Sequence, residues 1–298
     1  MATPSAMPFR TTDSRRGILW ILFAMMLFVG QDAVAKYLMS ISYPVEQVVW
    51  ARFAFNMLFI VALFVGRLPG VARSRNYRLQ MWRSALLLMT TVLFYMALNT
   101  VPLADANAIF YLSPVIVTAL SMPLLGEHVG PRRWIGVAIS CLGALIILRP
   151  GTEMMQPSML LALAAACTIS LLQIATRQLS RYDGPMTTLF YTALVGAVVM
   201  SAVVPFHWSA PDAWGWVLFC VLGLFGAASH YAMIKALEVA PAPTIAPFIY
   251  TNLIWSTALG FMLFGDLPDL WTVAGALIIA ASGTYIFYRE WVRTSDRI

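Results

Sequence analysis

Charge is what this 298-residue chain has least of: 19 Lys and Arg with 13 Asp and Glu make 11% of its residues, against about 25% in a soluble globular domain. So few charges cannot cover the water-facing surface of a fold this size. With 60% hydrophobic residues and a mean hydropathy of +0.78, the chain reads as an all-α integral membrane protein. Cysteine is scarce as well. Cys141, Cys167 and Cys220 each lie inside an apolar run with no Cys-x-x-C spacing, which argues against a disulfide framework or a structural zinc site. Also missing are H-E-x-x-H, G-x-S-x-G, a carboxylate pair at metal-ligand spacing in the apolar runs, and a Gly-rich phosphate loop. The chain is therefore expected not to be an enzyme, to need no metal or cofactor, and to draw on no ATP. The net charge of +6 reads as a membrane-topology bias and not as a nucleic-acid footprint.

What the chain has is long apolar runs. A bilayer-spanning helix needs roughly 20 mostly apolar residues, and ten such runs begin near Gly17, Val45, Leu79, Ala104, Arg132, Ser158, Pro185, Ala213, Ala242 and Leu270. Short connectors separate them, apart from one longer basic loop from Gly66 to Arg78. Ser14-Arg15-Arg16 looks superficially like a twin-arginine signal, but further apolar runs follow and no small-residue cleavage site stands out, so it reads as the start of a retained first helix. Placing both termini in the cytoplasm puts sixteen of the nineteen Lys and Arg on the cytoplasmic side, leaving Lys36, Arg52 and Arg149. The expected organisation is a tail at 1–16, five helices over 17–150, five more over 151–288 and a tail at 289–298, in a multi-pass protein of the inner (plasma) membrane.

The two halves are related. A shift of 139 positions aligns Ala97-Leu98 with Ala236-Leu237, Pro102 with Pro241 and Tyr111 with Tyr250. It also aligns Thr118-Ala119-Leu120 with Thr257-Ala258-Leu259, Gly126 with Gly265, Glu127 with Asp266 and Gly136 with Gly275. Because each half holds an odd number of helices, the second copy enters the membrane from the opposite face. Inverted repeats of this kind are associated with alternating-access transport.

These residues carry a resemblance. The junction from Ala97-Leu98 to Pro102-Leu103-Ala104, the Pro114-containing fourth helix, Gly126-Glu127, and the fifth helix with Gly136 and Gly143 ending at Arg149-Pro150-Gly151 resemble the EamA-type ten-helix exporters of the drug/metabolite transporter superfamily. Ala236-Leu237, Pro241, Gly265-Asp266, Gly275 and Gly283 repeat the pattern. The resemblance implies two inverted five-helix repeats around a central cavity lined chiefly by helices 1, 3, 4, 6, 8 and 9. The abundant aromatics look most like the YddG-type exporters of aromatic and other neutral amino acids. Asp266 in place of the first repeat's Glu127, and the unequal spacings Gly136 to Gly143 and Gly275 to Gly283, mark the halves as inequivalent in detail.

Polar groups inside a bilayer are costly unless they face a cavity or a partner, so each is a candidate for substrate contact. Gln31 lies on the first helix beside Asp32 and Lys36, whose i, i+4 spacing suits either a mutual ion pair or contact with a zwitterion or a coupling proton. Asn107, Tyr111, Pro114 and Thr118 form one stripe on the fourth helix, and Pro114 should free a backbone carbonyl there. Thr91, Tyr95 and Asn99 form another stripe on the third. Gln173 is the candidate on the sixth helix, His230 and Tyr231 on the eighth, and Tyr250, Asn252 and Trp255 on the ninth. His230 is the one histidine inside a span and the group able to titrate near neutral pH. The expected function is transport of small neutral metabolites, with aromatic and other hydrophobic amino acids as substrate and the solute gradient or protons as driving force. A multidrug or nucleotide-sugar transporter is the alternative; a phosphate-bearing cargo would call for inward-facing Lys or Arg.

Overall fold

The computed structural model describes residues 13–66, 68–125, 131–152 and 156–295. The expected repeat motif Gly126-Glu127 and the first twelve residues of the tail lie outside that set. The helices are α1 (Ser14–Ser40), α2 (Val45–Phe64), the single turn α3 (Leu68–Val71), α4 (Tyr77–Leu98), α5 (Leu103–Phe110), α6 (Ser113–Leu125) and α7 (Pro131–Leu148). The second half comprises α8 (Met159–Leu179), α9 (Pro185–Val203), α10 (Ala213–Val239), the turn α11 (Ala242–Ile245), α12 (Thr251–Phe264) and α13 (Leu270–Ser295). Among the described residues eight helical segments are long and apolar enough to cross a bilayer, and two shorter apolar stretches, Trp134–Leu148 and Leu270–Ile286, fall where the fifth and tenth apolar runs were expected. Outward-facing side chains are apolar, as at Met262 (75% exposed) and Leu277 (65%), which suits lipid and not water.

The two halves pack into each other. α1 lies along α10 and α12, while its counterpart α8 lies along α4 and α6; α2 meets α9 and α10, and α9 in turn meets α4. Exchanging the halves maps this pairing onto itself, so the repeat in the sequence is a pseudo-two-fold axis in the fold. The contact between α7 and α13 shows it residue by residue. The space a side chain would take at Gly136 is filled by Ile286, and that at Gly275 by Ile147, and both pairs are related by the same 139-residue shift. Midway, Gly143 and Gly275 bring the two backbones together: a Cβ on Gly275 would lie 2.6 Å from the Gly143 carbonyl oxygen. Small residues serve this purpose wherever apolar helices have no hydrophobic drive to associate and depend on close contact. Ser140 and Ser282 hydrogen-bond across the same seam.

Two helices are broken at corresponding places. The fourth apolar run ends its first helix at Phe110, turns through Tyr111 and Leu112, and restarts at Ser113; the ninth passes through a 3-10 segment, Ala246–Tyr250, before α12. Pro114 therefore stands in the first turn of α6, where an amide proton is not needed. Its own carbonyl accepts from Thr118 Oγ1 at 3.0 Å. The carbonyl of Ser113, in the first turn of α6, also accepts from Ser170 Oγ of α8 at 3.0 Å, a hydrogen bond between the two repeats.

Polar clamps tie the repeats at both ends. At one end Asp183, in the turn between α8 and α9, accepts from Ser74 Oγ, the Arg75 amide and Gln80 Nε2. Partial burial pushes its carboxyl up, but these hydrogen bonds outweigh it and hold the group below the usual carboxylate range. At the other end the Arg149 guanidinium hydrogen-bonds Asp269 and holds its carboxyl below that range.

A Gly275→Val variant should lose about 1–3 kcal/mol by overpacking the α7–α13 seam, read as a lower Tm in detergent, while Gly184→Ala, whose added Cβ meets nothing within 4 Å, should leave Tm unchanged. A lowered carboxyl contributes stability above its unfolded pKa and loses it as pH falls through the folded one. Asp269→Asn should therefore lower Tm at pH 7, with the difference from wild type shrinking as pH drops below about 4.

Candidate functional site

The middle of the bundle holds charges that lipid would not tolerate. On α2 the buried Arg52 donates from Nη1 to the hydroxyl of Tyr95 on α4 at 3.2 Å, and its guanidinium lies 5.4 Å from that ring's centre. Asp32 on α1 is within electrostatic reach of Arg52, Tyr95 and Tyr111. Both residues sit well inside their helices, where an opposite charge within reach lowers the cost of placing either at that depth.

The helix breaks deliver aromatic rings to the same region. Tyr111 closes α5 and Tyr250 ends the 3-10 segment, and these repeat-related tyrosines stand 5.9 Å apart between ring centres, across the pseudo-two-fold axis. The Tyr111 hydroxyl reaches Met25 Sδ at 3.6 Å. The Tyr250 hydroxyl is buried without a hydrogen-bond partner and occupies the space a Cβ would need at Gly283.

A third group comprises amides. Gln31, fully buried, donates from Nε2 to the Leu222 carbonyl of α10 at 3.2 Å. It converges with Asn56 of α2 over Gly226, where a Cβ would lie 2.5 Å from Gln31 Nε2 and 3.2 Å from Asn56 Nδ2. The side-chain oxygens of both are buried and unpartnered, as are Asn252 Oδ1 and Trp255 Nε1 on α12. Unmet polar atoms at this depth, each costing about 1–3 kcal/mol, are what a cavity built to hold a polar solute presents. His230, one turn beyond Gly226, packs edge-on against Phe28 at 5.1 Å and feels the charges of both Arg52 and Arg83.

Arg83 is counted on the cytoplasmic side by the charge pattern and is not among the expected site residues. α4 begins at Tyr77, so Arg83 lies nearly two turns inside. Its Nε donates to Thr176 Oγ1 of α8 at 2.6 Å and its Nη1 to Thr192 Oγ1 of α9. Among the described residues Arg83 is thus a second largely enclosed arginine besides Arg52. The polar spacing Gln80, Arg83, Ser84 and Thr91 on α4 was the sequence signal that could have exposed it.

The other expected residues fall into different settings. Lys36 does not pair with Asp32; it turns to the end of α4, donating to the carbonyls of Leu98 at 3.2 Å and Val101 at 2.7 Å, with Asp105 and Asp266 as its charge neighbours. Carbonyls freed at a helix C-terminus are strong acceptors for a cation, and the i, i+4 pair loses to them. Asn107 is buried and donates to the Leu103 carbonyl one turn back, at 3.0 Å, so its side chain serves its own helix. Tyr231 stands at the rim, 37% exposed, against Trp20 and Lys235, which takes it out of the central group. Gln173 is exposed on α8, angularly between the residues that touch α4 (Thr168, Thr176) and the one that touches α6 (Ser170).

A model of the EamA-like transporter family matches residues 15–149 and again 156–288. The S-adenosylmethionine uptake transporter of Rickettsia prowazekii is 26% identical over 274 residues, 92% of this chain and 93% of its own. The riboflavin transporter of Vibrio cholerae is 26% identical over 296 residues, 95% of each chain. The pseudopaline exporter of Pseudomonas aeruginosa is 26% identical over 276 residues, 90% of this chain and 94% of its own. These relatives are transporters, and none of them is described as an amino-acid exporter.

Each charge of the central pair should depend on the other. Asp32→Asn and Arg52→Met should each lower Tm in detergent, while the double variant should lose less than their sum, with a coupling of about 0.5–3 kcal/mol.

Proposed function

We propose, because the chain belongs to the EamA-like transporter family, that it moves a compact zwitterion with a flat apolar part through a chamber between its repeats. An aromatic amino acid or an amino-acid conjugate fits that description. The chain is a multi-pass inner-membrane transporter. The finer reading adds ten membrane crossings, with both termini in the cytoplasm.

The observation that carries the substrate class is Asp32 set against Arg52 and Tyr95 beside the Tyr111–Tyr250 pair. A zwitterion can engage both side chains, its ammonium going to Asp32 and its carboxylate to Arg52, so that its own charges are met at the bilayer's depth. The tyrosines offer a ring an apolar wall with polar edges. The repeat-related helix breaks supply the two places at which the halves can tilt about the bound solute. Names on the relatives are consistent with this class: S-adenosylmethionine combines an amino-acid end with a flat heterocycle, and riboflavin carries a flat ring system. Uptake and export both occur among them, so direction follows the gradient applied.

One observation favours a second reading. Arg83 gives the chamber a second guanidinium, with threonine hydroxyls as its hydrogen-bond partners, and that is the inward-facing cation a phosphate-bearing or nucleotide-type cargo requires.

Counterflow in proteoliposomes tests both. Vesicles loaded with unlabelled phenylalanine, S-adenosylmethionine or riboflavin should accumulate the labelled form of the cargo that is carried, and Asp32→Asn, Arg52→Met and Tyr111→Ala should each reduce that rate at least about tenfold, the loss of roughly 1.4 kcal/mol of binding. Competition by nucleotides but by none of these three, abolished in Arg83→Gln, would replace the first reading with the second.

A further inference from the structure

We propose that a crevice between the first turn of α4 and the last turn of α8 holds the phosphate headgroup of an anionic phospholipid. The crevice has a volume of about 580 Å³ and is lined by Asn76, Arg78, Trp82, Gln178, Arg181 and Tyr182, among others. It lies outside the bundle and shares no residue with the central chamber.

Charge is the first argument. Arg78 and Arg181 are both exposed and reach the crevice from opposite sides, Arg78 from the first turn of α4 and Arg181 from the turn that follows α8, one from each repeat. From residue 65 to 84 and from 165 to 190 the sequence has one acidic residue, Asp183. Its carboxylate is occupied by Ser74, the Arg75 amide and Gln80, and among the described residues no ion pair engages either crevice guanidinium. A phosphodiester, with fixed charge and several acceptor oxygens, suits two such forks.

Position is the second argument, and it selects lipid over a soluble anion. Trp82 is 60% exposed and Tyr182 49% exposed at the crevice mouth, where amphipathic rings mark the level of the headgroups. From Trp82 the outward face of α4 runs through Ala85, Met89 and Met96, all exposed and apolar. At i, i+3, i+7 and i+14 they form one stripe. A stripe of that length facing outward from a membrane helix is a track for an acyl chain, and the crevice stands at its polar end. Basic pockets between transmembrane helices take anionic headgroups in this way. Because α4 and α8 belong to different repeats and pack on each other, a headgroup held by both would brace the halves at the Asp183 end.

Native mass spectrometry of the purified full chain with phosphatidylglycerol and phosphatidylcholine tests this. The wild type should retain phosphatidylglycerol in preference, and Arg78→Gln with Arg181→Gln should weaken that retention about 30-fold, roughly fivefold for each arginine. Arg73→Gln, an exposed arginine outside the crevice, should retain it as the wild type does. An unchanged Tm of the double variant in phosphatidylcholine would establish that the fold is intact. Equal retention of the two lipids, preference surviving in the double variant, or full displacement by millimolar inorganic phosphate would each overturn the proposal.

Discussion

The helices of each half bury more against the other half than against their own. The heaviest packing runs between halves, α1 on α10 and α8 on α4, with α7 and α13 locked through reciprocal glycine and isoleucine contacts. Everything else depends on that exchange. In a bilayer the backbone must satisfy itself within each helix, and helices adhere by close contact and interhelical polar bonds and not by expulsion of water. A repeat that borrows its packing surface from its counterpart makes the axis between them a place where polar groups of both halves can meet.

What gathers there follows from the helix breaks. Tyr111 and Tyr250 stand at the two interruptions with their rings against each other, and Ser170 of the opposite half bonds the Ser113 carbonyl beside the first of them. Around them Asp32, Arg52, Tyr95, Gln31 and Asn56 form a set of charges and amides in which several acceptors remain unmet. The polar clamps at Asp183 and at Arg149–Asp269 lie at opposite ends of the same assembly, each joining one repeat to the other.

Much of this was legible from the chain. Every expected apolar run begins within three residues of a helix of the fold or of the turn that leads into one, because long hydrophobic runs bounded by Pro, Gly and charge leave few alternatives. Matches at Tyr111 and Tyr250 and at Gly136 and Gly275 survived as contacts across the axis. Side-chain partners were less legible. Lys36 and Asp32 are well spaced for each other, yet the carbonyls at the end of α4 are stronger bait for the ammonium. Tyr231 shares a helix with His230, but one residue of rotation, about 100°, carries it to the rim.

The sequence by itself determined that the protein lives in a membrane, that its two halves repeat, and which residues are polar within the apolar runs, since hydropathy and periodicity are local properties of a chain. Only the tertiary structure decided which of those groups meet. Arg83 became an interior cation, and Arg52 the partner of Tyr95, because residues dozens of positions away on α4, α8 and α9 came to lie beside them. Such long-range meetings are set by how the repeats interlock, and no window along the chain contains them.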